Sequence, residues 1–466
     1  MSCRRHSLGL RTPVKLFQHL LVAPAALGLF ATGVNAADLS INGISDYSET
    51  EEQVTSITQF STITKLKGKT VWVAGATHAK GDNYDTGGEK GARDAYNAEY
   101  GAFSFSYDLR LGLKTSFTGK DLLFTRLRAG NMGDDSVWDG NGVSLNKLDT
   151  AAPGGNTIEV DRLYYRFPLG SNFTIQAGPL TRNTEMMGYK ATAYAKGGTK
   201  ILDFFGGSLG TPGVWNKETG GGFGAIYSNK KQVEKGDAYW TVAANYVADS
   251  GEANDSNPNT GGFMTDNSEG NFTAQLAYGH KKWGAALGYR YGQCGAKFRT
   301  GTEFAVGDKF GTPCSVGDDE RSGAASNSFS LHGFWRPEAS GWMPSVSAGV
   351  GTSYLTGNDD WDDNTNKRAM ASWMVGLTWN DVFLQGNALG YAVGQPQFVY
   401  DVEDGFLADG GYAMELWDSF QVTDNIQVTP AVYWLSRPWG DDTQNVYGDY
   451  KSLGVFGGLV QTTFKF

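Results

Sequence analysis

From Ala102 to Phe117 the chain alternates strictly: Phe103, Phe105, Tyr107, Leu109, Leu111, Leu113 and Phe117 share one parity, and Ser104, Ser106, Asp108, Arg110, Lys114 and Ser116 share the other. A period of two is the mark of an extended strand with one apolar and one polar face. At about 3.4 Å per residue this strand outruns the roughly 9 to 11 residues that cross a bilayer. After a turn at Gly119 the alternation resumes over 121–129, with Leu123, Thr125 and Leu127 opposite Phe124, Arg126 and Arg128. It recurs over 63–74, 157–167, 172–180, 218–228, 238–248, 270–279, 282–292, 326–335, 344–354, 370–379, 382–391, 411–419, 426–436 and 452–466, which makes sixteen strands, an even number.

The connections carry a second rhythm. Those after even-numbered strands are short (118–120, 168–171, 229–237, 280–281, 336–343, 380–381, 420–425), whereas those after odd-numbered strands are long and rich in Gly, Asn and Asp (75–101, 130–156, 181–217, 249–269, 293–325, 355–369, 392–410, 437–451). Short turns on one side and long loops on the other are the asymmetry of outer-membrane barrels. The expectation is therefore an all-β fold, a 16-stranded antiparallel transmembrane β-barrel with short periplasmic turns and long external loops. Tyr291, Trp335, Trp373, Trp379, Trp434 and Phe464 lie near predicted strand ends, where amphipathic rings settle at headgroup level.

Composition agrees with a barrel. Glycine reaches 64 residues, aromatics 13% and charged residues only 19%, and the mean hydropathy of -0.35 is too polar for a bundle of membrane helices. Beyond residue 36 no run of 18 apolar residues occurs, so any membrane-spanning part must be a closed barrel. Residues 1–36 read as a signal peptide: Arg4, Arg5, Arg11 and Lys15 precede an apolar stretch from Leu20 to Leu29 and a Val34-Asn35-Ala36 cleavage site. Residues 37–62 are then a short periplasmic N-terminal segment and 63–466 the barrel. Loss of four positive charges takes the formal net charge from -10 to -14, which disfavours nucleic acid as a partner. Cys294 and Cys314 remain as an even pair in a glycine-rich loop, and in an oxidising periplasm they are expected to form a disulfide worth about 3 kcal/mol.

At the C-terminus Phe456, Val460, Thr462, Phe464 and Phe466 form the outward row, interleaved with Gln461, Thr463 and Lys465. A closing strand ending on Phe464 and Phe466 resembles the signal by which the barrel-assembly machinery recognises its clients for membrane insertion. Three further segments, Gln59–Gly68, Arg162-Leu-Tyr-Tyr-Arg166 and Tyr412–Pro430, resemble the cyanobacterial outer-membrane porins of iron-uptake type, related to the OprB carbohydrate-selective porins. The resemblance covers about residues 59–466 and implies a homotrimeric passive diffusion channel for small solutes and ions, set in outer-membrane lipid and lipopolysaccharide. Longer members of that family carry an S-layer-homology domain and a coiled coil ahead of the barrel. Here only the 23 residues from Ala37 to Gln59 precede it, so cell-wall tethering is not expected.

In sixteen-strand porins the third loop folds inward to narrow the channel, and 181–217 is the third loop. It holds Arg182, Lys190, Lys196, Lys200 and Lys217 against Glu185 and Asp203, a net of +3, whereas every other long loop sums negative. Alternation also turns Arg110, Lys114, Arg126, Arg128, Arg162 and Arg166 towards the lumen. A basic constriction concentrates anions and rejects cations. Two alternatives stand beside that reading. The arginines, with Tyr189 and Tyr194, fit sugar hydroxyls and rings, or the cations pair with lumen acids such as Asp108 and Glu415 and select little. A structural or adhesive barrel acting through its loops is the rival function.

No catalytic constellation emerges, and neither a cofactor nor a metal site is expected. His332 is predicted to face inward without a paired acid, and His78 and His280 lie in connections. Asp359, Asp360, Asp362 and Asp363 around Trp361 lack the glycine turn and spacing of a calcium loop and read as a solvated external loop.

Overall fold

The computed structural model describes residues 63–83, 91–306, 325–356, 367–443 and 452–466, apart from 134, 153, 294, 340, 403–404 and 407–408. Sixteen long antiparallel strands follow one another: β1 Thr64–Gly81, β2 Ser104–Thr115, β3 Leu122–Gly130, β4 Glu159–Leu169, β5 Phe173–Arg182, β6 Thr219–Ser228, β7 Tyr239–Val247 and β8 Asn271–Gly279. The second half continues with β9 Trp283–Gln293, β10 Ala325–Trp335, β11 Ser345–Thr356, β12 Lys367–Asn380, β13 Ala388–Val402, β14 Ala413–Thr423, β15 Ile426–Ser436 and β16 Leu453–Lys465. A two-residue ladder at Gly405–Phe406 extends the end of β13. Each strand pairs with the next, β1 also pairs with β2, and β1 closes on β16 from Lys69 opposite Lys465 to Gly81 opposite Leu453. Closure leaves no strand edge to be satisfied by lipid, which is why a sheet can span a membrane only as a barrel.

The two faces divide as the alternation requires. Val242, Leu276, Leu287, Leu331 and Val350 point outward and are 44–55% exposed, while their inward neighbours Thr241, Gln275, Ser328, Ser330 and Ser353 are buried. Apolar side chains remain on the surface because lipid, rather than protein, covers them. Among the described residues no helix is long and apolar enough to cross a membrane. One nine-residue helix, Ala92–Tyr100, lies in the first long loop, and its Tyr96 hydroxyl meets Thr77 of β1 at 2.9 Å.

Some element bounds differ from the sequence reading. β1 runs to Gly81 rather than residue 74, and β13 occupies 388–402 rather than 382–391. In the second case Val382-Phe383-Leu384 mimics a strand but forms a turn: Asp381 and Phe383 adopt left-handed φ, and the Asp381 amide bonds to the Asn387 carbonyl at 2.7 Å. Trp373 sits mid-strand in the longer β12 rather than near a strand end. The acidic cluster around Trp361 lies outside the described residues.

Candidate functional site

The barrel interior is occupied by its own loops. The third loop, 183–218, leaves β5 and crosses to the far wall, where strand side chains satisfy its irregular backbone. Gln275 Nε2 of β8 donates to the Met187 and Tyr189 carbonyls at 2.7 Å, and Ser347 Oγ of β11 accepts from the Ala193 and Tyr194 amides at 2.8 and 3.0 Å. Glu415 of β14 accepts from the Tyr194 hydroxyl at 2.7 Å and the Leu202 amide at 2.9 Å, and Gln461 of β16 donates to the Gly198 carbonyl at 2.6 Å. A loop buried in a barrel must find such partners, since an orphaned backbone group costs as much as a lost hydrogen bond. Glycine on the wall lets the loop come close: a Cβ at Gly376 would stand 2.7 Å from the Tyr194 ring.

Two expectations are corrected here. Glu415 serves as the anchor of the third loop and, among the described residues, makes no ion pair. Tyr194, 1% exposed and bonded to Glu415 and Trp417, is part of that anchor, so its ring is closed to any sugar.

The third loop is joined by two others. In the second, 131–158, Trp138, Val143, Leu145 and Leu148 are buried against Val71, Val73, Leu435, Leu453 and Val455, apolar residues that point into the lumen from β1, β15 and β16. In the fifth, 294–324, Phe298, Phe304 and Ala305 pack on Leu355, Met370, Val399 and Val402. Ser144 of the second loop bonds to the Gly301 carbonyl of the fifth at 2.8 Å. Loops other than the third thus also pack on the interior wall.

Facing these loops is an arginine wall. Ladder register sets Arg110 opposite Arg128, Arg126 opposite Arg162, and Arg166 opposite Gln176. Like charges directly opposite repel, and carboxylates are inserted between them. Asp108 takes Arg110 at 2.7 Å and Arg128 at 2.9 Å, and also accepts from Thr150 of the second loop at 2.9 Å. Asp161 takes Arg126 and Arg162, and Glu185 takes Arg162 at 3.1 Å. Asp161 reaches the interior because the β3–β4 register slips between Arg126 and Leu127, opposite Arg162 and Val160. Such a bulge turns Asp161 and Arg162, successive residues, into the same cluster.

On the loop side Asp149 takes Lys217 at 2.6 Å and Lys200 at 3.5 Å, while Asp203 takes Lys217 and Arg299, the latter at 2.6 Å. Burial works to raise both carboxyls, but Lys200 and Lys217 hold Asp149 well below the ordinary range, and Arg299 and Lys217 hold Asp203 below it. Exposure differs between the partners. Asp108 and Asp203 have sealed side chains, at 0% exposure, whereas Arg110, Arg128 and Arg299 keep 21%, 15% and 24%. At Asp108 and Asp203 the carboxylate lies behind its guanidiniums, whereas around Arg162 the order is reversed, with Asp161 and Glu185 keeping 15% and 29% exposure and Arg162 sealed.

Of the residues singled out from the sequence, Arg110, Arg126, Arg128, Arg166 and Arg182 are partly exposed on this wall, and Arg162 lies fully buried behind it. Arg166 bonds Gln176 at 2.7 Å beside the Tyr164 ring, and Arg182, the last residue of β5 rather than a loop residue, bonds Thr219 at 2.9 Å. Lys190 and Lys200 come from the third loop. Lys114 is exposed near the short-turn end of β2, and Lys196 stands with Arg336 beyond β10, so neither belongs to the ion-paired cluster. Phe464 packs on Trp72 with ring centroids 4.8 Å apart, and the Phe466 backbone exchanges bonds of 2.7 and 3.0 Å with Gly68. Cys294 and Cys314 lie outside the described residues.

The sequence reading missed Asp149, Asp161 and Arg299. Arg299 belongs to a loop of net negative charge, and no periodicity marks it. Glu218, just before β6, lines a cavity of about 280 Å³ with Lys217, Lys297 and Arg299, and burial, reinforced by Asp249, pushes its carboxyl up to about 7.

Comparison with known proteins agrees with this architecture. A solved structure of Pseudomonas putida OprB, at high pH, superposes with a TM-score of 0.52 at 12% identity, covering 89% of this chain and 97% of that one. The uncharacterized protein alr4550 of Nostoc sp. is 30% identical over 431 residues, 88% of this chain, and sll0772 of Synechocystis sp. is 27% identical over 411 residues, 82% of this chain. The chain spans 66% of the length of each of these relatives, just under two thirds. The family model described as carbohydrate-selective porin, OprB family, matches residues 36–466. This outer-membrane barrel belongs to the OprB family of carbohydrate-selective porins.

Proposed function

We propose that the protein is a passive diffusion channel for small hydrophilic solutes, carbohydrates and inorganic ions, with a preference for anions set at the constriction. The observation that carries the preference is the layering of charge, with the sealed carboxylates of Asp108 and Asp203 behind the exposed guanidiniums of Arg110, Arg128 and Arg299. In a narrow passage with low-dielectric walls the nearer charge dominates the potential, so anions are concentrated and cations turned away. Arg166 and Arg182 make no ion pair among the described residues and add to the excess. Pairing with lumen acids therefore organises the cations without cancelling them.

The reversal potential of single channels in a planar bilayer under a KCl gradient tests this reading. Chloride is expected to permeate better than potassium, and a preference for potassium overturns it. Carbohydrate passage rests on the family and is checked by liposome swelling with mono- and trisaccharides. Self-association as a trimer is proposed on the same ground, with conductance appearing in threes. Iron uptake gains no support, since among the described residues no group of three or more His, Cys, Asp or Glu is placed to hold a metal.

A further inference from the structure

The ion-paired cluster accounts for only part of the positive charge in the lumen. At the short-turn end a cavity of about 970 Å³, which shares Lys200 with that cluster, opens between the third loop and the turns that follow β6, β8 and β10. Lys190, Lys196 and Lys200 enter it from the loop, Lys230 and Lys235 from the β6–β7 turn, Lys281 from the β8–β9 turn, and Arg336 from the end of β10. Seven cations thus face one space that holds two carboxylates, Glu234 and Asp237. Lys200 reaches Asp149 at 3.5 Å, and among the described residues the other six cations make no ion pair. Partial burial and the neighbouring Arg336 charge both lower Lys196, as expected of two cations held together without an anion between them. Aromatic faces brace the rim: Lys230 lies 5.2 Å from the Tyr239 ring centre and Arg336 4.9 Å from that of Phe334.

Cations so gathered repel one another, and a compact anion with several charges relieves that repulsion at several points at once. We infer that this cavity is a polyanion-binding site at the periplasmic mouth, taking a small solute with two or more phosphate or carboxylate groups. The concavity favours a small molecule over a protein surface, because Lys190, Lys196 and Lys200 line it from the third loop while Lys230, Lys235 and Lys281 line it from the turns. A bound polyanion lies across the way out of the constriction, so occupancy from the periplasmic side blocks current. The assignment of this mouth to the periplasm rests on the outer-membrane channel reading. The site itself does not require conduction.

Two measurements separate the site from that reading. Isothermal titration of the detergent-solubilised full chain with inorganic tripolyphosphate, at about 0.1 M salt where screening is moderate, reads binding directly. In planar bilayers the same probe, added to one side and then the other, reads block. Binding is expected to weaken roughly tenfold or more in the triple variant Lys230→Ser, Lys235→Ser, Lys281→Ser, and block to arise from one side only and to be relieved in that variant. No binding to the wild type, binding unchanged in the triple variant, or equal block from both sides overturns the site. Weakening by Arg110→Ser or Arg128→Ser in place of the triple variant also overturns it, because the anion then sits in the constriction. A chain that binds tripolyphosphate as expected but carries no current refutes the channel and leaves the site standing.

Discussion

At the scale of single residues, Asp108 organises the arginine wall, and under the proposed function it sets how much of that wall acts on a passing ion. It is fully buried and holds Arg110, Arg128 and Thr150 together. Asp108→Asn removes one negative charge from behind the wall, so chloride preference in the reversal potential should rise. The same change leaves two partly exposed guanidiniums underpaired and should cost about 1–3 kcal/mol of stability, read by denaturant unfolding in detergent. An unchanged reversal potential in a folded variant would mean the wall does not line the ion path. Glu218 gives the pH dependence. Its carboxyl is raised from the ordinary 4.5 to about 7, so the folded state holds the extra proton between those values, and stability falls as pH rises through that window. Ionisation also adds negative charge beside Lys217, Lys297 and Arg299. Chloride preference should therefore decline from pH 6 to pH 8 in the wild type and stay flat in Glu218→Gln. A decline that persists in the variant would assign the titration to another group.

At the scale of elements, the interior loops hold their place by polar anchors. Glu415 binds the third loop at two points, the Tyr194 hydroxyl and the Leu202 amide. Glu415→Ala leaves both donors unsatisfied, at about 1–3 kcal/mol each, and the expected result is a noisier, larger single-channel conductance from a loop that no longer holds one position. Quiet channels of wild-type size would show that the remaining anchors suffice. The second loop is held by apolar packing instead. Trp138, 0% exposed, belongs to the same apolar cluster as Val71 and Val455, and Trp138→Ala should destabilise the barrel by about 3–5 kcal/mol, seen as a lower unfolding midpoint. The strands themselves were legible from period-two alternation, and their bounds failed where a turn such as 381–387 carried apolar residues of its own.

At the scale of the whole molecule, stability comes from the match between an apolar outer band and the surrounding lipid, together with a closed hydrogen-bond ladder. Leu287 stands outward near the middle of β9 at 55% exposure, beside the inward Ala286. Leu287→Lys should cost about 2–4 kcal/mol for folding into lipid vesicles, with little effect on selectivity because its side chain faces away from the lumen. Altered selectivity in that variant would contradict the assignment of faces. The interior follows a different rule, since one side is a polar wall lined by serine, threonine and glutamine that accepts loop backbone, and the other carries the arginines.

By itself the sequence determined the number of strands, the faces of the regularly paired strands, and the division into short turns and long loops. Each of these follows from local geometry, because a strand's two-residue period fixes direction without knowledge of its neighbours. Arg110, Arg126 and Arg128 were placed inward on that ground alone. Tertiary structure decided the rest. Whether a long loop stays outside or folds in depends on a complementary surface contributed by distant strands, as Val71, Leu435 and Val455 do for Trp138. Only the fold brings Arg299 to Asp203 across 96 positions of sequence. Only the bulge between β3 and β4 turns Asp161 towards Arg126, and only the fold seals Asp108 behind Arg110 and Arg128.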